Sequence, residues 1–484
     1  MKFKVILHYL SLITIGVGIA MLIPLVFSII TDSGASGAFA ISAFLCLAAG
    51  GATRFLTASK GHRLSAREAV LLVAGGWIIA SAVGALPYYL SGALTSYIDA
   101  FFEAMSGFTA TGATVFNSIG TQHQSILLWR SITQWLGGMG IIMLFVALFP
   151  ILGMGSAHLI EAEMPGAQHG EKLTARIRDS AKALWLIYLG MTITQYLLLR
   201  FAGLIPFDAA NIALTTMPTG GFAPANASIA AYNNVWVEVI VTIFMILAGV
   251  NFGLYYFLFF KRQPKHLFKN TEFKTYIVIL LVSGTIVSLN LLSQMDFSPV
   301  EALRYGSFQI VSIMTTSGFA TTDSNLWPTF SKAVLLLLMT IGACAGSTTG
   351  ALKVIRIIVL FKYIHRRLLM VFKPNTVMPI KVDGKTLPAN IISRIISLVL
   401  LYIFLAAAGF MVMSALGLEP VTALSSSIAC IGNIGYGFGM VGAAETYAFI
   451  PSIGKAVLIL LMLAGRLEIF TILVLFLPSF WRWK

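Results

Sequence analysis

Charge is scarce in this chain: only 10% of its 484 residues are Asp, Glu, Lys or Arg, against about 25% in a soluble globular domain. That scarcity excludes a water-facing surface over most of the molecule. Cysteine is rare as well. Cys46, Cys344 and Cys430 lie in apolar or turn-like stretches and suggest no disulfide framework. The sequence has no HExxH pair, no Cys/His cluster with metal-ligand spacing and no phosphate-binding loop, so it offers no hydrolytic metal centre and no nucleotide site of its own. Gly34-Ala35-Ser36-Gly37 matches an intramembrane serine-protease pattern. Its only plausible base, His158, falls on the opposite side of the membrane in the topology read below, which leaves no catalytic dyad. Whole loops also lack Lys and Arg: 94–126, 205–235 and 417–452 contain neither.

What the chain does have is apolar sequence. Hydrophobic residues make up 58% of it, in recurring runs of about 20, the length that crosses a bilayer. We read ten spanning helices at 5–30, 36–57, 68–91, 127–150, 183–203, 236–260, 274–293, 332–360, 389–415 and 453–480. The first run is too long for a signal peptide and lacks a small-residue cleavage site, so it reads as an uncleaved helix. The net charge of +14 is unevenly placed. Arg54, Lys60, Arg63 and Arg67 form one basic loop, and Lys261, Arg262, Lys265, Lys269 and Lys274 a second. The stretch from Lys353 to Arg394 carries a third. Basic loops alternating with loops free of Lys and Arg follow the positive-inside rule and put both termini in the cytoplasm. The same distribution argues against a nucleic-acid surface.

A short pattern returns four times, about a hundred residues apart: Thr111-Gly112-Ala113-Thr114, Thr219-Gly220-Gly221-Phe222, Ser317-Gly318-Phe319-Ala320 and Ile434-Gly435-Tyr436-Gly437. A fixed period with a repeated chemical centre marks a copied structural unit. Each turn follows a segment too short to span, at 97–108, 206–217, 299–315 and 420–431. A dozen helical residues cover about 18 Å of a core about 30 Å thick. Such a segment enters the membrane and turns back, which is tolerated where the backbone is buried in protein or lines water. The fold class is therefore an all-α membrane protein with four pseudo-repeats of helix, pore half-helix, filter turn and helix around one pore. An N-terminal helix pair (1–66) precedes units at 67–182, 183–272, 273–388 and 389–484. Glycine lets successive carbonyls point inward, and a ring of carbonyls can replace the hydration shell of a cation. The half-helix C-termini, each with about half a negative charge, would favour that cation.

Two further features carry chemistry. Gly342-Ala343-Cys344-Ala345-Gly346-Ser347-Thr348-Thr349-Gly350 interrupts the expected helix 332–360 with residues that favour helix poorly. We read a break there, below the filter, with Lys353 as its anchor; glycines at spacing four would also suit close helix packing. Arg466 lies within an apolar helix, where a charge is functional by default. Glu468, two residues on, faces away from it on a helix. Were Arg466 to face the pore, at about 7 Å from a passing cation and an effective dielectric of about 20, it would repel that cation by about 2 kcal/mol, enough to slow conduction without forbidding it. Asp208, Glu103 and Glu301, in or near the half-helices, read as capping or cation-attracting groups at the outer mouth.

These residues resemble the Trk/Ktr/HKT superfamily of cation transporters, in particular its TrkH branch, over essentially the whole chain. The matching motifs are Ser106 to Thr114, Met217-Pro218-Thr219-Gly220-Gly221-Phe222, Thr315-Thr316-Ser317-Gly318-Phe319 and Asn433-Ile434-Gly435-Tyr436-Gly437. The resemblance implies potassium bound by backbone oxygens at Thr111, Gly112, Thr219, Gly220, Ser317, Gly318, Ile434 and Gly435. It implies a gate formed by Gly346, Ser347, Thr348, Thr349 and Gly350, with Arg466 facing the pore. A serine at the first filter glycine goes with sodium transport in the superfamily; Gly112 stands there and favours potassium. Tyr436 occupies a place where the superfamily commonly has proline. The resemblance further implies a homodimer with one pore per subunit, and a cytosolic nucleotide-binding ring resembling TrkA that binds NADH and ATP. The expected function is channel-like, potassium-selective uptake across the bacterial cytoplasmic (inner) membrane, with no enzymatic activity. A proton- or sodium-coupled symporter is the alternative and would need a titratable relay. An intramembrane enzyme would need a co-located catalytic set, and a membrane scaffold would not need four filter-like turns.

Overall fold

The computed structural model describes residues 2–57, 65–147, 172–374 and 378–482. Lys60, Arg63, His158 and the end of the expected helix 127–150 lie outside them. The described chain is nearly all helix. Its only β-structure is a two-stranded hairpin, Lys381–Val382 with Lys385–Thr386. Among the described residues, six helices suit a bilayer by length and composition: Phe3–Thr31, Ser36–Leu56, Arg67–Leu90, Ala181–Phe201, Thr271–Gln294 and Ala389–Ala415. They are largely apolar and only partly buried, leaving large side chains such as Ile30, Phe44, Leu281 and Phe404 exposed, as a lipid-facing surface requires.

Three of the ten expected spans are not continuous. The stretch 236–260 is two helices, Val235–Ala248 and Phe252–Phe259, bent by 95°. The carbonyl of Gly249, freed at the bend, accepts from the Cys344 amide (3.0 Å), and Asn251 caps the second piece by accepting from the Gly253 amide (2.7 Å). The stretch 332–360 is Thr329–Ile341 and Val354–Phe372, joined by twelve irregular residues that include the expected break. The stretch 453–480 ends its first helix, Ser452–Arg466, just before Glu468, which adopts a left-handed backbone (φ 61°) and pairs with Arg356.

Four short helices occupy the expected half-helix positions: Tyr97–Phe108, Pro206–Thr216, Pro299–Met314 and Pro420–Ile431. Three begin with proline, whose missing N–H costs nothing in the first turn. The third also has a Ser298/Glu301 capping box. The Ser298 hydroxyl and amide hold the Glu301 carboxyl below the usual carboxylate range, so this residue caps as expected. All four half-helices are largely buried among the longer ones.

Candidate functional site

Each half-helix ends the same way. Ala110, Thr219, Thr316 and Asn433 all take the left-handed conformation, with φ of 50°, 57°, 55° and 52°. Their amides donate to the carbonyls three residues back, and the next amides donate five residues back: Thr111 to Ser106, Gly220 to Thr215, Ser317 to Ser312 and Ile434 to Ala429. This is the Schellman ending, built here on residues other than glycine. Two residues past each left-handed position stands a glycine that is also at positive φ: Gly112, Gly221, Gly318 and Gly435.

These glycines close a ring. A side chain at Gly112 would occupy the space of the Gly220 carbonyl oxygen. One at Gly221 would meet the Ser317 oxygen, one at Gly318 the Ile434 oxygen and one at Gly435 the Thr111 oxygen. Each turn thus abuts the next in chain order, and the fourth returns to the first. All four glycines line one open vestibule, whose wall includes Thr114, Phe222, Asn226, Glu445 and Tyr447. In the second turn the structurally equivalent pair is Gly220/Gly221, one residue later than the expected Thr219/Gly220. Two adjacent glycines conceal this register in the sequence; the neighbouring Ser317 carbonyl decides it.

A shell of buried polar side chains fixes the turns. Gln134 donates to the Gly220 carbonyl (2.7 Å) and accepts from the Phe222 amide (3.2 Å). Ser312 donates to the Phe319 carbonyl (2.6 Å). Ser425 accepts from the Phe438 amide (2.9 Å). Asn433 donates to the Thr111 hydroxyl (3.0 Å), tying the fourth turn to the first. Glu103 does not stand at the mouth as expected. It is buried against Arg130 (2.7 Å) and accepts from the Val115 amide (2.9 Å). Arg130 also reaches the Thr114 hydroxyl (3.2 Å) and lies 4.0 Å from the Phe222 ring centre. The pair staples turn 1 to turn 2 and cancels a positive charge that would otherwise repel a cation. Arg130 escaped the sequence reading, although the rule applied to Arg466, a charge inside an apolar helix, would have found it. Asp208 lies in the first turn of the second half-helix.

The irregular stretch 342–353 lies directly beneath the ring. Thr348 donates to the carbonyl of Met217, which caps the second half-helix just before turn 2 (3.0 Å). The Gly350 amide donates to the Thr316 hydroxyl of turn 3 (2.9 Å), and Gly350 packs against the Gly432 carbonyl so closely that no side chain fits. Gly346 supplies its carbonyl to the Phe252 amide (3.0 Å), and Ser347 and Thr349 share a hydroxyl–hydroxyl bond (2.7 Å). Arg466 donates to the Thr348 carbonyl (2.6 Å) and the Gly137 carbonyl (3.3 Å). It is therefore bound to this loop, while Glu468 pairs elsewhere, with Arg356. Lys353 is buried at the end of the loop, in a left-handed conformation (φ 73°), and its amide donates to Ile341 (2.7 Å).

The chain matches the family TrkH, cation transport protein, over residues 35–483. It is 38% identical over 484 residues to the Trk system potassium uptake protein TrkH of Salmonella typhimurium, covering 100% of both chains. It is 36% identical over 486 residues to the protein of that name from Vibrio parahaemolyticus, again covering 100% of each. Its structure superposes on the crystal structure of the potassium transporter TrkH from Vibrio parahaemolyticus with a TM-score of 0.91 at 34% identity, covering 100% of both chains.

Proposed function

The chain belongs to the TrkH family of cation transport proteins and carries potassium across a membrane, and from that premise we propose that the ion passes through the ring of four turns. The observation that carries this reading is the closed cycle of glycine–carbonyl contacts from Gly112 round to Thr111. Potassium, as the cargo, is held there by backbone oxygens from Thr111, Gly112, Gly220, Gly221, Ser317, Gly318, Ile434 and Gly435, the second pair one residue later than the Thr219/Gly220 of the sequence reading. Gly220, equivalent to Thr111 by register, presents its oxygen to Gly112 as Thr111 does to Gly435. Buried oxygen dipoles replace hydration water. The half-helix C-termini add partial negative charge behind them.

Gly346 to Gly350 forms the gate, in the closed position beneath the ring, and Arg466 both latches it through Thr348 and repels cations electrostatically. The repeat units 67–182, 183–272, 273–388 and 389–484 each contribute one turn, and helices 1–66 flank them. The alternating basic loops support a cytoplasmic-membrane location with both termini inside and the vestibule outside. A Trk-system membrane subunit works with partner protein; here that is a nucleotide-binding cytosolic ring on the basic face, with a second copy of the chain completing a homodimer.

Flux in sealed liposomes holding only this protein, with K⁺, Rb⁺, Na⁺ and Li⁺ compared under an imposed potential, tests this reading. Fast K⁺ and Rb⁺ entry with little Na⁺ is expected, driven by about 2.3 kcal/mol per charge at 100 mV. Equal K⁺ and Na⁺ entry would remove the selectivity role of the ring, and obligatory proton movement would make the protein a symporter.

A further inference from the structure

One carboxylate holds both ends of the loop beneath the ring. Glu272 is the second residue of the helix Thr271–Gln294 and is buried. Its Oε1 accepts from the Ala345 amide (2.8 Å) and from the Ile355 amide (3.0 Å). Ala345 lies past the end of Thr329–Ile341, and Ile355 is the second residue of Val354–Phe372. Ala345 lies in the irregular stretch and Ile355 in a first helical turn, where amides are left without helical partners. Between these two anchors lie Thr348, bound to Arg466 and Met217, and Gly350, bound to Thr316. The segment that meets the filter is thus a closed loop knotted at Glu272.

The start of that helix is held in turn from the surface. Asp383, in the turn of the hairpin, accepts from the Thr271 amide (2.8 Å) and from the Asn270 side chain (3.3 Å). The hairpin has its own small core, in which Ile380 and Val382 pack with Val359, Ile391, Ile392 and Ile395. The same hairpin accepts from Lys362 through the Lys381 carbonyl (2.7 Å). Its core joins it to Val354–Phe372, the helix that leaves the loop. A displacement of the hairpin therefore acts on Glu272 and on the loop's exit together.

We propose that Glu272 is a positioning residue that keeps the loop seated under the ring, and that the hairpin 381–386, through Asp383, is the handle by which Glu272 is moved. This rests on the reading of 346–350 as the gate. Charged acceptors bind amides about twice as strongly as neutral ones, so removing the carboxylate frees both anchors at once.

The test uses the full chain in liposomes, with K⁺ and Na⁺ flux measured for Glu272→Ala, Glu272→Gln, Asp383→Ala and the pair Glu272→Ala/Asp383→Ala. Glu272→Ala is expected to raise K⁺ flux about tenfold at an unchanged K⁺/Na⁺ ratio, because two buried charge-assisted bonds are lost while the turns are untouched. Glu272→Gln, which keeps a neutral acceptor at the same atom, should rise less. Asp383→Ala should move in the same direction, and the double variant should be no higher than Glu272→Ala, as two steps of one linkage require. A merely structural role would lower flux or change the ratio, and that result overturns the proposal. Should Glu272→Ala fail to reach the bilayer, Glu272→Gln and Asp383→Ala decide, and wild-type flux in both overturns it. Deletion of 346–350 separates the two readings. Raised flux there with unchanged flux in Glu272→Ala overturns the role of Glu272 alone, whereas unchanged flux in both removes the gate as well.

Discussion

At the scale of single residues, the ring makes unequal demands on two neighbouring glycines. Gly221 is at positive φ with the Ser317 oxygen where a side chain would go, whereas a side chain at Gly220 would meet only the flexible end of Gln134. Gly221→Ala should therefore cost K⁺ flux at least about tenfold, since neither the backbone angle nor the rigid carbonyl yields easily. Gly220→Ala should cost clearly less. Liposome flux for the two variants side by side checks the register, and equal losses would contradict it. Gly112→Ser projects a hydroxyl towards the Gly220 oxygen. It should lower the K⁺/Na⁺ flux ratio; an unchanged ratio would take Gly112 out of the filter.

At the scale of elements, the short helices are specified locally and the broken ones are not. The half-helices at 97–108, 206–217, 299–315 and 420–431 were legible because segments of that length cannot span; Pro206, Pro299 and Pro420 stand in the first turns of three of them. The bend after Ala248 left a weaker trace, Gly249 followed two residues later by Asn251, a helix stop and a cap. Hydropathy hides it, because the apolar run continues through it. What permits the bend is the Cys344 amide, supplied from about a hundred residues away. The loop 346–350 is held to three of the four turns or their flanks. Its deletion should open the space beneath the ring and raise K⁺ flux several-fold. Wild-type flux in the deleted protein would show that the loop does not obstruct the path.

At the scale of the whole molecule, the orientation in the membrane is open to a direct test, because all three native cysteines are buried and give little background to a membrane-impermeant thiol reagent. Glu445, exposed in the vestibule, and Lys373, exposed beyond the last turn of Val354–Phe372, should label from opposite sides as Glu445→Cys and Lys373→Cys. Lys373→Cys should react only from the cytoplasmic side. Labelling of both from one side would overturn the topology drawn from the basic loops.

Composition and spacing alone determined that this chain lives in lipid and that a glycine-centred turn pattern returns four times along it. These are properties of short windows: the length of an apolar run, the charge of a loop, the period of a motif. Tertiary structure alone decided that Gly221, and not Gly220, takes the place of Gly112 in the ring, that Glu103 is spent on Arg130 rather than on the mouth, and that Glu272 gathers both ends of the loop under the ring. Each depends on a partner brought close from far along the chain, by 27 residues for Glu103 and Arg130 and by 73 for Glu272 and Ala345. A buried polar group takes its role from the one partner that satisfies it, and that partner is known only once the helices have packed.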